Sequence, residues 1–156
     1  MPMIDVTFPA ASLDTEGRQR LADELTTHLL RAERAPDTEF FRSITWVFLH
    51  ALPEGDLLVA GRPVDGTVVR VEVTTPEGAL SDRRRAELVE NATLAVRELF
   101  GMPEEDALKV WVICREVPEG SWGAGGQVVR FQQLREAAAA SKGQEAAAFE
   151  QAQPVT

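Results

Sequence analysis

Val110-Trp111-Val112-Ile113-Cys114-Arg115-Glu116-Val117-Pro118-Glu119-Gly120-Ser121-Trp122-Gly123-Ala124-Gly125-Gly126 begins as an apolar, partly β-branched run and ends in a glycine-rich turn, which reads as a strand entering a hairpin. Much of it occurs twice. Trp46, Val47, Pro53, Glu54, Gly55 and Gly61 precede Trp111, Val112, Pro118, Glu119, Gly120 and Gly126 by a constant 65 positions. Further upstream, Leu13, Leu21 and Pro36 match Leu80, Leu88 and Pro103 at an offset of 67. The two-residue change falls in the loop between helix and strand, where deletions cost little. The chain is an internal duplication.

Each copy reads as a β-α-β unit. In the first, residues 3–8 form a strand, Pro9-Ala10-Ala11-Ser12 breaks it, and Asp14 caps a helix whose inward stripe is Leu21, Leu25, Leu29 and Leu30. Ala35-Pro36-Asp37 stops the helix near Arg34, and residues 44–49 form the next strand. In the second copy, residues 68–73 are a strand and Ser81 caps a helix with Leu88, Leu94, Val96 and Leu99 on its apolar side. Met102-Pro103 ends that helix, and residues 110–114 are the last strand. The pattern predicts an α/β fold in which tandem β-α-β repeats form a four-stranded mixed sheet with two helices on one face. One domain is expected over 1–131, with repeat one at 2–66 and repeat two at 67–131. The alanine-rich tail, 132–156, with Ala137 to Ala140 and Ala146 to Ala148, is either a peripheral helix or disordered. Trp46 to Leu49 and Trp111 to Cys114 are apolar on both sides, so the uncovered sheet face calls for self-association.

The 156 residues suit a single domain, and 44% hydrophobic residues suffice for a core. Sixteen Lys plus Arg against 25 Asp plus Glu leave a formal charge of −9, which argues against nucleic acid and anionic membrane surfaces as partners. Only Lys109 and Lys142 are lysines, so small anions would be held by arginine forks. Cys114 is the single cysteine and His28 and His50 the only histidines, which gives no metal-site spacing. The N-terminus has no basic, apolar leader, and no stretch approaches the ~20 apolar residues of a membrane span, so a cytoplasmic protein is expected.

Chemistry is expected at Pro2. Removal of the initiator methionine before a small residue leaves proline with a free secondary amine. Burial penalises the charged form of an amine, so a dry Pro2 nitrogen would be neutral near pH 7 and a general base for an acidic C–H proton. The glycine hairpin is not a dinucleotide fingerprint, since no helix of the right spacing follows it. Nor is Gly120-Ser121-Trp122-Gly123 a nucleophile elbow. Gly123, Gly125 and Gly126 are expected at positive φ.

Met1-Pro2-Met3-Ile4-Asp5-Val6 at the head of a β-α-β unit, the duplicated half, and Glu116 to Gly126 after the last strand together resemble the tautomerase superfamily, which includes 4-oxalocrotonate tautomerase and macrophage migration inhibitory factor. The fused, two-repeat length is most similar to malonate semialdehyde decarboxylase and cis-3-chloroacrylic acid dehalogenase. The resemblance covers residues 2–131 and implies a homotrimer with Pro2 in an apolar pocket, acting without a cofactor on a small carboxylic acid. The positions where that family places its arginines hold Ser12 or Leu13, Ala79 or Leu80, and Trp46 or Trp111, and residues 74–79 contain none. Arg115 or Arg70 is the substitute expected to hold the acid group, and Trp111 and Trp122 to wall the pocket; each has a plain structural alternative. His50, His28 and the run Arg83-Arg84-Arg85 read as strand-end, helix-packing and solvated residues. The reaction implied is keto–enol tautomerisation of a 2-oxo or unsaturated acid. Hydration, dehalogenation, decarboxylation, or a trimeric binding protein with little turnover stand as alternatives.

Overall fold

Alternation along Met3–Pro9 buries Ile4, Val6 and Phe8 and turns Met3, Asp5 and Thr7 the other way, the period of a strand with one face in the core. This is β1 of a computed structural model that describes residues 2–136 and 138–140. A 3-10 turn follows, then helix α1 (Thr15–Glu33), a short helix α2 (Glu39–Ser43) and strand β2 (Trp46–Leu52). A hairpin of β3 (Leu58–Val59) and β4 (Arg62–Pro63) leads to repeat two: β5 (Val69–Pro76), α3 (Asp82–Leu99), β6 (Val110–Val117), and a second hairpin, β7 (Trp122–Ala124) and β8 (Gln127–Val129).

The expected caps are present. Asp14 accepts from Gly17 N–H at 2.8 Å and Ser81 from Arg84 N–H at 3.4 Å, each satisfying one orphan donor of a first turn. α1 buries Leu21, Leu25, Leu29 and Leu30 as its spacing predicts. In α3 the buried stripe is Leu88, Ala92, Ala95 and Val96, whereas Leu94 is exposed. Six residues beyond Leu88, it lies roughly two-thirds of a turn off the stripe. β2 starts two residues later than expected because Thr38 caps α2 and residues 39–43 spend that stretch as a helical turn.

The sheet order is β2-β1-β5-β6. β1 and β2 are parallel, as are β5 and β6; within the sheet the two repeats join where β1 pairs antiparallel with β5, and α1 packs on α3 above it. The helices cover one face, where Val6, Val71 and Leu29 are wholly shielded. The other face is open and carries Trp46 (63% exposed), Phe48 and Trp111 (67%). Residues 131–136 and 138–140 are helical; Met1, Ala137 and 141–156, including the alanines at 146–148, lie outside the described residues.

The hairpins show how far the copies have diverged. Gly125 and Gly126 turn at φ 59° and 76°, but Gly123 sits in β7 without positive φ, a correction to the sequence reading that follows from its ladder pairing with Val128. The repeat-one turn uses Ala60 at φ 52° followed by Gly61 at φ 76°. A non-glycine residue in the left-handed region costs roughly 1 kcal/mol. Ala60→Gly should therefore stabilise the chain by about that amount in urea denaturation; an unchanged midpoint would show that this turn carries no strain.

Candidate active site

Pro2 is buried, and its carbonyl accepts a 3.4 Å hydrogen bond from Trp46 N–H at the start of β2. Topology decides what surrounds it. Between two parallel strands a helix must run back to where the first strand began, so the C-terminal end of α1 returns to Pro2. Because β5 is antiparallel to β1, its last residues and the first turn of α3 reach the same end of the sheet. They enclose a cavity of about 430 Å³ lined by Pro2, Glu33, Arg34, Phe41, Pro76, Arg84, Phe131 and Arg135, among others.

Each wall is held in place. Arg42 donates to Asp37 (2.5 and 2.9 Å), Asp23 (2.7 Å) and Thr27 (2.8 Å), tying α2, which carries Phe41, to α1. The Arg42 hydrogen bonds hold the Asp37 carboxyl below its ordinary range. Arg84 spans the two helices, donating from Nη1 to Ala32 C=O (3.0 Å) and from Nε to Ser81 Oγ (3.2 Å). Arg34 closes α1 in the left-handed conformation, φ 58°. The C-terminal helical segment is anchored by Glu119, whose carboxylate accepts from Phe131 N–H at 3.1 and 3.0 Å, a favourable charge at a helix start.

Glu33, the last residue of α1, is the unusual group here. Burial pushes its carboxyl up to about 7, against the pull of the positive charges at the chain's amino end and on Arg84. The negative end of the helix dipole works in the same direction as burial.

The sequence-predicted residues divide. Pro2 lines the cavity. Arg115, Arg70 and Trp111 do not, because alternation along β5 and β6 sends them to the open face, away from the helices. There Arg115 pairs with Glu72 at 2.6 Å and Arg70 donates to Thr7 Oγ1 at 3.1 Å. Arg70 and Trp111 do share a groove of about 860 Å³, with His50 and Leu58, but it is a separate one. Trp122 is half-buried in a small cleft behind Phe131 and Leu134, which also face the Pro2 cavity. Glu33, Arg34, Arg84 and Arg135 were not singled out from the sequence. For the first two a signal existed, since the β-α-β connection alone returns residues 33–35 to the head of β1.

Residues 68–132 match the model of the Tautomerase family, described as tautomerase enzyme. The match spans the second repeat and less than half of the chain. No curated protein matches it. Among solved structures it is similar to a fused 4-OT, wild type, asymmetric trimer (TM-score 0.69, 18% identity, covering 81% of this chain and 94% of that one). It is similar to a member of the cis-3-chloroacrylic acid dehalogenase family (TM-score 0.69, 24% identity, 86% and 89% covered). It is also similar to the macrophage migration inhibitory factor of Toxoplasma gondii (TM-score 0.63, 12% identity, 81% and 99% covered). At these identities the likeness concerns the fold, the tautomerase-type sheet of paired β-α-β units. No helix among the described residues is long and apolar enough to cross a membrane.

The raised Glu33 carboxyl makes this fold sensitive to pH. A group raised on folding from 4.5 to about 7 stabilises the fold fully below pH 4.5 and loses that contribution as pH rises through 7. Wild type should accordingly lose unfolding free energy relative to Glu33→Gln between pH 4.5 and 7, with parallel curves outside that window. Denaturation at several pH values checks this; curves parallel throughout would contradict it.

Proposed function

We propose that the chain is a tautomerase-type enzyme in which Pro2, freed by removal of Met1, moves a proton on a small 2-oxo or unsaturated carboxylic acid. The observation that carries this reading is the burial of Pro2 in a cavity of about 430 Å³ beside Arg34, Arg84 and Arg135. That volume suits a small molecule. Three guanidinium groups at one cavity, in a chain of net charge −9, mark the place where an anion is welcome. They also disfavour the protonated amine, as does burial, so Pro2 is disposed to act as a base.

The guanidinium forks orient the substrate carboxylate, and the Pro2 nitrogen takes a proton from the carbon next to the 2-oxo group, giving the enol; the reverse sequence ketonises it. Hydration, dehalogenation or decarboxylation would use Pro2 protonated, as an acid. Arg34 bears a cost that suits this role. Its counterpart at the repeat offset, Gly101, takes the same left-handed turn at φ 62° with no side chain.

The open sheet face supports assembly as a homotrimer, with Trp46, Phe48 and Trp111 meeting their counterparts in neighbouring copies. A fused 4-OT of the same fold is named as a trimer. Light scattering should give three times 17.1 kDa, and Trp111→Arg should lower that mass; a monomeric wild type would contradict the assembly.

Intact mass should show Met1 absent. With phenylenolpyruvate and 2-hydroxymuconate as substrates, Pro2→Ala should lose roughly 100- to 10,000-fold in rate. Equal rates, or retained Met1, which would acylate the nitrogen, would remove Pro2 from the mechanism. Arg34→Gly should gain about 1 kcal/mol of stability while raising KM. Unchanged KM would take Arg34 out of the binding set.

A further inference from the structure

We infer that Glu33 is the acid partner of Pro2, its carboxyl protonating the substrate's 2-oxo oxygen while the Pro2 nitrogen takes the proton from carbon. The inference rests on the proposed reading of Pro2.

Geometry supports it first. Glu33 ends α1 at the point where the β-α-β connection returns to the head of β1, and both residues line one cavity. The charged groups that line the cavity with this carboxyl are Arg34 on its own helix end, Arg84 on α3 and Arg135 on the C-terminal segment, and the positive charges of Arg84 and of the chain's amino end act on it. Among the described residues, none of these holds the Glu33 carboxyl in an ion pair within 4.0 Å, while Arg84 spends two of its donors on Ala32 C=O and Ser81 Oγ. Glu33 therefore lines the cavity with no fixed side-chain partner for its carboxyl among the described residues.

Electrostatics then favours the neutral acid. Burial and the carbonyl end of α1 both disfavour its anion. A substrate carboxylate bound by the same arginines adds a further negative charge close by, and two carboxylates in one site hold on to one proton. A neutral carboxylic acid beside a neutral amine is the pair that enolisation requires.

The step balances. The C3–H bond breaks, its proton goes to the Pro2 nitrogen, and its electron pair forms the C2=C3 bond. The C2=O π pair takes the Glu33 proton to give the enol O–H. A carboxylate and a prolinium remain, which either run the step backwards on the next enol or exchange protons with water. Because the two sites share protons, their titrations are coupled.

The test uses processed wild type, Glu33→Gln, Glu33→Asp and Pro2→Ala in phenylenolpyruvate ketonisation from pH 5 to 9. Glu33→Gln keeps the shape and a hydrogen-bond donor but cannot pass a proton. Its kcat should fall by roughly 100-fold or more with KM little changed, the wild-type limb near pH 7 should vanish, and Glu33→Asp should restore part of both. A second readout needs no turnover. Conjugate addition of the Pro2 amine to 2-oxo-3-pentynoate, followed by intact mass, reports the fraction of unprotonated nitrogen. Its half-point should move to lower pH in Glu33→Gln, because the carboxylate that held the proton is gone. Wild-type kcat and pH profile in Glu33→Gln, or an unmoved labelling half-point, overturns the inference. If Pro2→Ala alone is impaired, the Pro2 reading survives that failure; if all variants match wild type, both readings fall.

Discussion

The antiparallel pairing of β1 with β5 is the constraint on which the rest of this molecule depends. Each β-α-β copy has one helix to cover two strands, too little core to be stable alone. Joined edge to edge, Ile4, Val6, Val71 and Val73 become the centre of a four-stranded sheet and lose contact with water. The pairing also sets a pseudo-twofold axis. Asp5 and Glu72, equivalent at the 67-residue offset, are direct partners in the ladder, and like charges opposite one another are unfavourable. The cost is offset twice in the same way. His50 contacts Asp5 at 2.7 Å and Arg115 contacts Glu72 at 2.6 Å, and His50 and Arg115 are themselves equivalent at the 65-residue offset. A residue that reads as a carboxylate clamp in the sequence is thus already occupied in holding the centre of the sheet together.

The same axis exposes how the two copies have parted. At one end of the sheet stand Pro2, Glu33, Arg34 and Arg84; their counterparts by the repeat offset are Val69, Phe100, Gly101 and Gly17. Every position that brings charge to the first end is neutral at the other. Backbone conformation has been kept where chemistry has not, since Arg34 and Gly101 make the same left-handed helix end. Repeat one accepts strain there that repeat two avoids. Strain confined to one of two equivalent positions, at a cavity, is the pattern of a side chain retained for what it touches.

Legibility follows the range of the interactions. Asp14 and Ser81 as caps, the leucine stripe of α1 and the repeat itself were readable because each depends on neighbours within a turn or on register along the chain. Leu94 misled because a leucine counts as apolar wherever it falls, while the stripe is an angle. Residues 39–43 were hidden because five residues are too few to show a period. At the site, Pro2 was singled out for the chemistry a freed nitrogen would have, and the structure shows that it lines the cavity. Arg84 was not, because its neighbours Arg83 and Arg85 make it look like one of a solvated run, and only the packing of α3 on α1 turns it towards Ala32. Arg135 depends on the C-terminal segment folding back, which Glu119 enforces from twelve residues away in sequence.

Reaction choice in such a cavity comes down to where a few protons rest. On the proposed reading, in which Pro2 is a free amine, three guanidinium groups and burial favour its neutral form and an ionised Glu33 favours the protonated one. Neutral nitrogen with neutral carboxyl suits enolisation; prolinium with carboxylate suits protonating a carbon while water is activated. These two states differ only in the location of one proton between groups that line the same wall, so modest electrostatic changes decide between them. Substrate charge is one such change, since a bound carboxylate draws on the same arginines that otherwise favour the Glu33 anion. On this view a single scaffold passes from one chemistry to another without moving a strand, by altering which charges face the first nitrogen of β1.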